Sequence, residues 1–186
     1  MFHQNDAWTF AFACEICKFF ARRWGAVALA LLIALTMQTV KAQSAEPIAS
    51  ESRDAATAYV GTSNFVVGRL GRDCLSLVGR TDTPQQFVGN WQQRNLRYVA
   101  ASAKYMEKRL EEAQASGGLE KRNAVVREVT SIVQNNGSAT VRSWIERGDK
   151  QEACKRAIAI VEAGGMDISP RIPMFNEIEA LAVWAQ

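Results

Sequence analysis

Between Thr83 and Ser116 the chain contains almost nothing that would stop a helix. The segment opens with Thr83-Pro84-Gln85-Gln86, which sets a hydroxyl at the N-cap, proline at the first helical position and a glutamine where a capping box needs its returning acceptor. Gly89 is then the only glycine, and no further proline occurs, before Ser116-Gly117-Gly118. The pattern predicts one helix from Pro84 to Ala115, about 50 Å long at ~1.5 Å per residue. Leu96, Val99, Ala103, Met106, Leu110 and Ala113 form one stripe along it. Phe87, Trp91, Tyr98 and Tyr105 form a second, aromatic stripe beside the first. Together they cover about half the circumference, so this helix is expected to be a spine packed by two neighbours.

The neighbours follow from the same spacing rules. Tyr59, Val60, Val66, Leu70, Cys74, Leu77 and Val78 predict a first helix from about Arg53 to Val78. Its glycines, Gly61, Gly68 and Gly71, either break it in two or permit close contact with another helix. Leu119, Val125, Val126, Val129, Ile132 and Val133 predict a third helix, stopped by Asn135-Asn136-Gly137. Ser138 opens a short helix carrying Val141, Trp144 and Ile145 and ended by Gly148. Asp149 with Glu152 starts a fifth, with Ala153, Cys154, Ala157, Ile158 and Val161 on one face. Met166 to Pro173 holds two prolines and is no regular helix, and Phe175, Ile178, Leu181 and Trp184 suggest a short terminal helix. No segment reads as a strand and no repeat of fixed period is present. The expected fold is all-α: a single-domain bundle of four to five helices over residues 51–186, with one disulfide.

The first 42 residues read as a signal peptide that is removed. Arg22 and Arg23 precede an apolar run from Trp24 to Leu35, and Val40-Lys41-Ala42 offers small residues at a cleavage point after Ala42. The run is shorter than the roughly 20 residues of a comfortable membrane span, so retention as an anchor is the alternative, and no stable span is expected after cleavage. Gln43 to Ser50 reads as a flexible tail. The expected location is the periplasm, or secretion from a bacterial cell.

Export also decides which chemistry is left. The sole histidine, His3, and the pair Cys14 and Cys17 depart with the leader, so no metal site and no cofactor is expected. Without histidine, Ser-His and Cys-His nucleophiles are excluded. Glu111 with Glu112, or Glu177 with Glu179, are the nearest carboxylate pairs, and such neighbours on a helix ordinarily form its solvated face. The chain is therefore expected not to be an enzyme. Cys74 and Cys154 remain, both on apolar helix faces, and are expected to pair in an oxidising compartment. Of 22 basic and 19 acidic residues the leader holds four and two, leaving 18 against 17, a net charge of +1. That balance, mixed along every segment, argues against a nucleic-acid partner.

One line departs from a plain amphipathic pattern. Trp91, Asn95, Tyr98, Ser102, Tyr105 and Arg109 follow at steps of four and three, so all six share a face of the spine. As a binding strip, the aromatics would give rigid contact area and Arg109 and Asn95 directed hydrogen bonds. As a core layer, the polar atoms would satisfy one another while Arg109 reached for water. Met166 to Phe175 is a second candidate, either a partner-binding edge or a lid across the bundle. Two function classes follow. One is an exported interaction protein, such as an adaptor, inhibitor or immunity-type factor, that binds another exported or envelope protein. The other is a small-ligand carrier with a cavity beside the spine, lined by Tyr98 and Tyr105.

Overall fold

The computed structural model describes residues 49–186; the expected signal peptide, 1–42, and residues 43–48 of the tail lie outside the described residues. Five α-helices follow in order: α1 (Glu51–Cys74), α2 (Pro84–Arg94), α3 (Leu96–Ile145), α4 (Lys150–Glu162) and α5 (Phe175–Trp184), with a 3-10 turn at Ser76–Val78. No strand occurs among the described residues. The chain is an all-helical bundle joined by a Cys74–Cys154 disulfide, whose Cα atoms are 5.2 Å apart.

Local chemistry fixes most of the starts. Ser50 caps α1 by accepting from Arg53 N. Thr83 caps α2 with both halves of the box made: Gln86 N donates to Thr83 Oγ1 at 3.2 Å and Thr83 N to Gln86 Oε1 at 2.8 Å. Asp149 caps α4 by accepting from Glu152 N at 2.8 Å. α1 is unbroken by its glycines. A Cβ on Gly71 would lie 3.3 Å from the Phe87 ring and from Pro84 Cα, so this glycine is where the start of α2 lies against α1.

Two boundaries differ from the sequence expectation. The spine does not run unbroken from Pro84 to Ala115, because the backbone leaves helical geometry at Asn95 (φ −110°, ψ 19°), which ends α2 and begins α3. Asn95 is buried, and besides the local bond from Nδ2 to Trp91 O at 2.9 Å its side chain is taken by distant chain, Oδ1 accepting from Ile168 N at 2.7 Å. The second difference is Asn135-Asn136-Gly137, which stops nothing. α3 passes through it, so the expected third helix and the short helix from Ser138 are one. Gly137 is buried, and a Cβ there would overlap the ring of Phe65. It is a point of close helix contact, and its turn-like neighbours are incidental.

The break within α3 falls instead at Gly117 and Gly118, the latter at φ 65° and ψ −163°, a conformation suited to glycine. There the chain turns back. Val129 and Val133 line the same small cleft, about 200 Å³, as Val99, Ser102, Ala103 and Met106. α3 therefore has an inner arm before the glycines and an outer arm after them. The core collects Val66, Val67 and Leu70 of α1, Trp91 of α2, Tyr105 of the inner arm, Val161 of α4 and Ile178 and Leu181 of α5. The two stripes of the spine exchange roles. The aromatic one is deep, with Trp91 at 0% and Tyr105 at 1% exposure, whereas Leu96 is 54% exposed. Val99, Ala103 and Met106 of the aliphatic stripe face the cleft, whose other walls are Val60 and Gly61 of α1 and Val129 and Val133 of the outer arm.

Candidate functional site

The six residues of the polar and aromatic strip lie along α2 and the inner arm, and Trp91, Asn95, Tyr98, Tyr105 and Arg109 each secure another part of the chain. Trp91 Nε1 donates to Met166 O at 2.9 Å. Asn95 holds Ile168 N and also donates to Asp167 Oδ1 at 3.2 Å, while Arg94 grips the same carboxylate, its Nε 2.9 Å from Oδ2 and its Nη2 3.1 Å from Oδ1. The Met166–Pro173 segment is thus pinned across the bundle. Tyr98 Oη donates to Glu179 Oε2 at 3.1 Å, and its ring meets Phe175 edge-on at 6.2 Å. Arg97 pairs with the same Glu179 and lies 5.0 Å over the Tyr98 ring. Ser102 is buried. Tyr105 Oη donates to Asp54 Oδ1 at 2.7 Å, and Arg109 Nε meets Asp54 Oδ2 at 3.3 Å.

The electrostatics agree with this geometry. Burial, reinforced by the hydrogen bond to Asp54, pushes Tyr105 up to about 12, so its hydroxyl stays protonated and acts as a donor. Burial likewise raises Tyr98, with Glu179 adding to the effect. Trp91, Asn95, Ser102 and Tyr105 are buried and form a core layer, in which the polar atoms of Trp91, Asn95 and Tyr105 bind other parts of the chain. Only Tyr98 and Arg109, both half-buried, reach the edge of the strip. Among the carboxylates weighed for acid–base chemistry, Glu177 lies 4.0 Å from Arg53 and Glu179 is engaged by Arg97 and Tyr98. Among the described residues no cluster of three or more histidine, cysteine, aspartate or glutamate side chains is placed to hold a metal. None of the described helices is long and apolar enough to cross a membrane.

The open surface lies elsewhere. Between the first half of α1 and the outer arm runs a groove of about 780 Å³. Ala55, Ala58 and Tyr59 supply one wall and Val125, Val129 and Ile132 the other. Glu51, Asp54, Glu128 and Arg109 stand along it, and Pro173 and Met174 complete its lining. Met174 holds φ 65°, the only non-glycine residue at positive φ among those described, and is 37% exposed. Such a conformation is uncommon for a residue with a Cβ. It ends the pinned segment and begins α5, with Ile178 N donating to Met174 O at 3.0 Å.

Neither Tyr98 nor Tyr105 lines this groove. Val125, Val129 and Ile132, which do, belong to the apolar series that predicts the third helix. The signal for exposure is subtler: the outer arm alternates these residues with Arg127, Glu128, Thr130 and Ser131, which leaves only one narrow face to bury. Compared with known proteins, the chain matches no family model, no curated protein and no solved structure.

Proposed function

We propose that this chain is an exported helical protein of the bacterial envelope that acts by binding another exported protein, as an adaptor, inhibitor or immunity-type factor, and not by catalysis. The observation that carries the reading is the outer arm of α3. No side chain from 114 to 136 is buried, although Val125, Val126, Val129, Ile132 and Val133 lie there. A helix in a small domain is normally held by burying its apolar face, at roughly 25 cal/mol per Å². A face left open beside a groove is the kind of surface that a partner covers. The Cys74–Cys154 disulfide supports an oxidising compartment.

A photo-crosslinking side chain at Val125 or Ile132, compared with one at Leu77, tests this in the native host. Leu77 and Ile132 are both 41% exposed, but Leu77 stands on the 3-10 turn and does not line the groove. A discrete protein adduct is expected at 125 and 132 and not at 77. No adduct, or the same adducts at all three positions, rejects the reading. Intact mass of the exported protein, expected to begin at Gln43, tests the leader.

The carrier reading retains one observation in its favour, since about 780 Å³ falls within the roughly 300–1,000 Å³ typical of ligand pockets. Its wall is the outer arm and α1, however, and not the tyrosines expected to form it.

A further inference from the structure

We propose that the groove takes an amphipathic, basic segment of the partner protein, apolar side chains inward and lysine or arginine at the rim. This deepens the protein-binding reading and rests on it. The walls offered to such a segment are small and apolar, Ala55 and Ala58 facing Val129 and Ile132. The alanines leave room for the larger side chains of a guest, and Met174 at the end adds an unbranched, adaptable contact.

Charge selects the guest. Glu51, Asp54 and Glu128 line the groove against one cation, Arg109, and that guanidinium already faces Asp54. The lining therefore carries a formal −2, in a chain whose balance without the leader is +1. Glu51 and Glu128 are exposed at its rim. Carboxylates beside an apolar floor favour a segment that brings its own cations and disfavour an acidic one by like-charge repulsion. A second copy of this chain, whose outer arm carries Lys121, Arg122 and Arg127 against Glu120 and Glu128, is the competing occupant that the test separates.

The test uses two synthetic amphipathic peptides about four turns long, with the same leucine face and either lysine or glutamate on the other. Binding is measured to the full exported protein at about 0.15 M salt, where long-range attraction is largely screened. The lysine peptide is expected to bind at least about tenfold more tightly than the glutamate peptide. Ile132→Asp is expected to weaken the lysine peptide by at least about tenfold. That substitution adds a negative charge, so association by charge alone would strengthen. A Glu51→Gln, Glu128→Gln double variant should narrow the difference between the peptides.

Equal binding of the two peptides overturns the proposal, as does lysine-peptide binding that survives Ile132→Asp. Self-association of the protein alone that Ile132→Asp abolishes would also overturn it, by assigning the groove to a second copy. A partner crosslinked at Val125 or Ile132 through an acidic segment would end this proposal while leaving the protein-binding reading standing. Absence of any adduct would end both.

Discussion

The two arms of α3 share a helical backbone and differ in everything that surrounds it. On the inner arm Ala101, Ser102, Tyr105 and Ala113 are buried, and Tyr98 and Tyr105 reach out to fasten α5 and α1. On the outer arm nothing is buried until Gly137, after which Val141 and Ile145 re-enter the core. The outer arm is thus anchored by the glycine turn and by the Gly137–Ile145 segment, and between them Val125, Val129 and Val133 are only half-buried, Val133 beside Gly61 of α1, while Val126 and Ile132 are exposed. Apolar spacing reports which side of a helix wants a partner. It does not report whether the partner belongs to the same chain.

The contrast can be broken most easily at its strongest point. Trp91→Ala removes a fully buried indole and its bond to Met166 and should cost about 3–5 kcal/mol in a urea melt. A loss below about 1 kcal/mol would mean that the aromatic side is not the core. Replacing Cys74 and Cys154 together by alanine opens an 80-residue separation and should cost up to ~4 kcal/mol in the chain-entropy account. An unchanged melt would show that the disulfide constrains little. Gly137→Ala forces Phe65 aside and should cost about 1–3 kcal/mol, partly restored by Phe65→Leu. If it instead stabilises, as alanine does in an open helix, the outer arm is not seated on α1 as described.

Alkaline titration sharpens the picture of the inner arm. Tyr105 holds its proton to about 12 in the fold against ~10 in an unfolded chain, so the native state binds the proton more tightly. Its contribution is fully present below about pH 10 and is lost as pH rises towards about 12. Tyr105→Phe should flatten that fall by on the order of 1 kcal/mol, read as the difference between the two proteins' alkaline melts. Identical slopes would place the hydroxyl in water. The smallest effect is expected on the outer arm, where Ile132→Ser should change stability by no more than about 0.5 kcal/mol. A larger loss there would erase the distinction between the arms.

Features governed by neighbouring residues were legible in the sequence. The box at Thr83, the cap at Asp149, the break at Gly117-Gly118 and the pairing of Cys74 with Cys154 all rest on short patterns or on elimination. Features governed by distant chain were not. Asn95 looked like one more helical residue because its partner, the amide of Ile168, lies 73 residues away. Gly137 looked like a stop because a glycine after two asparagines resembles a cap; what decides its role is Phe65. The spacing from Trp91 to Arg109 sets these residues along one line, yet spacing alone does not distinguish a surface that meets another molecule from one that meets α1, α5 and the Met166 segment. The groove was hidden for the converse reason. Its walls belong to helices that the sequence places far apart.

One consequence concerns time. α1 packs against all four other helices, and Arg53 in its first turn lies 4.0 Å from Glu177 in α5. The first helix of the described chain therefore finds its last partner only once α5 has been made. Until then Val66, Val67 and Leu70 have no complete cover, and early collapse can form only part of the core. A chain arranged in this way closes late and as a whole, so the arrival of the final helix sets the moment at which the protein becomes resistant to proteolysis.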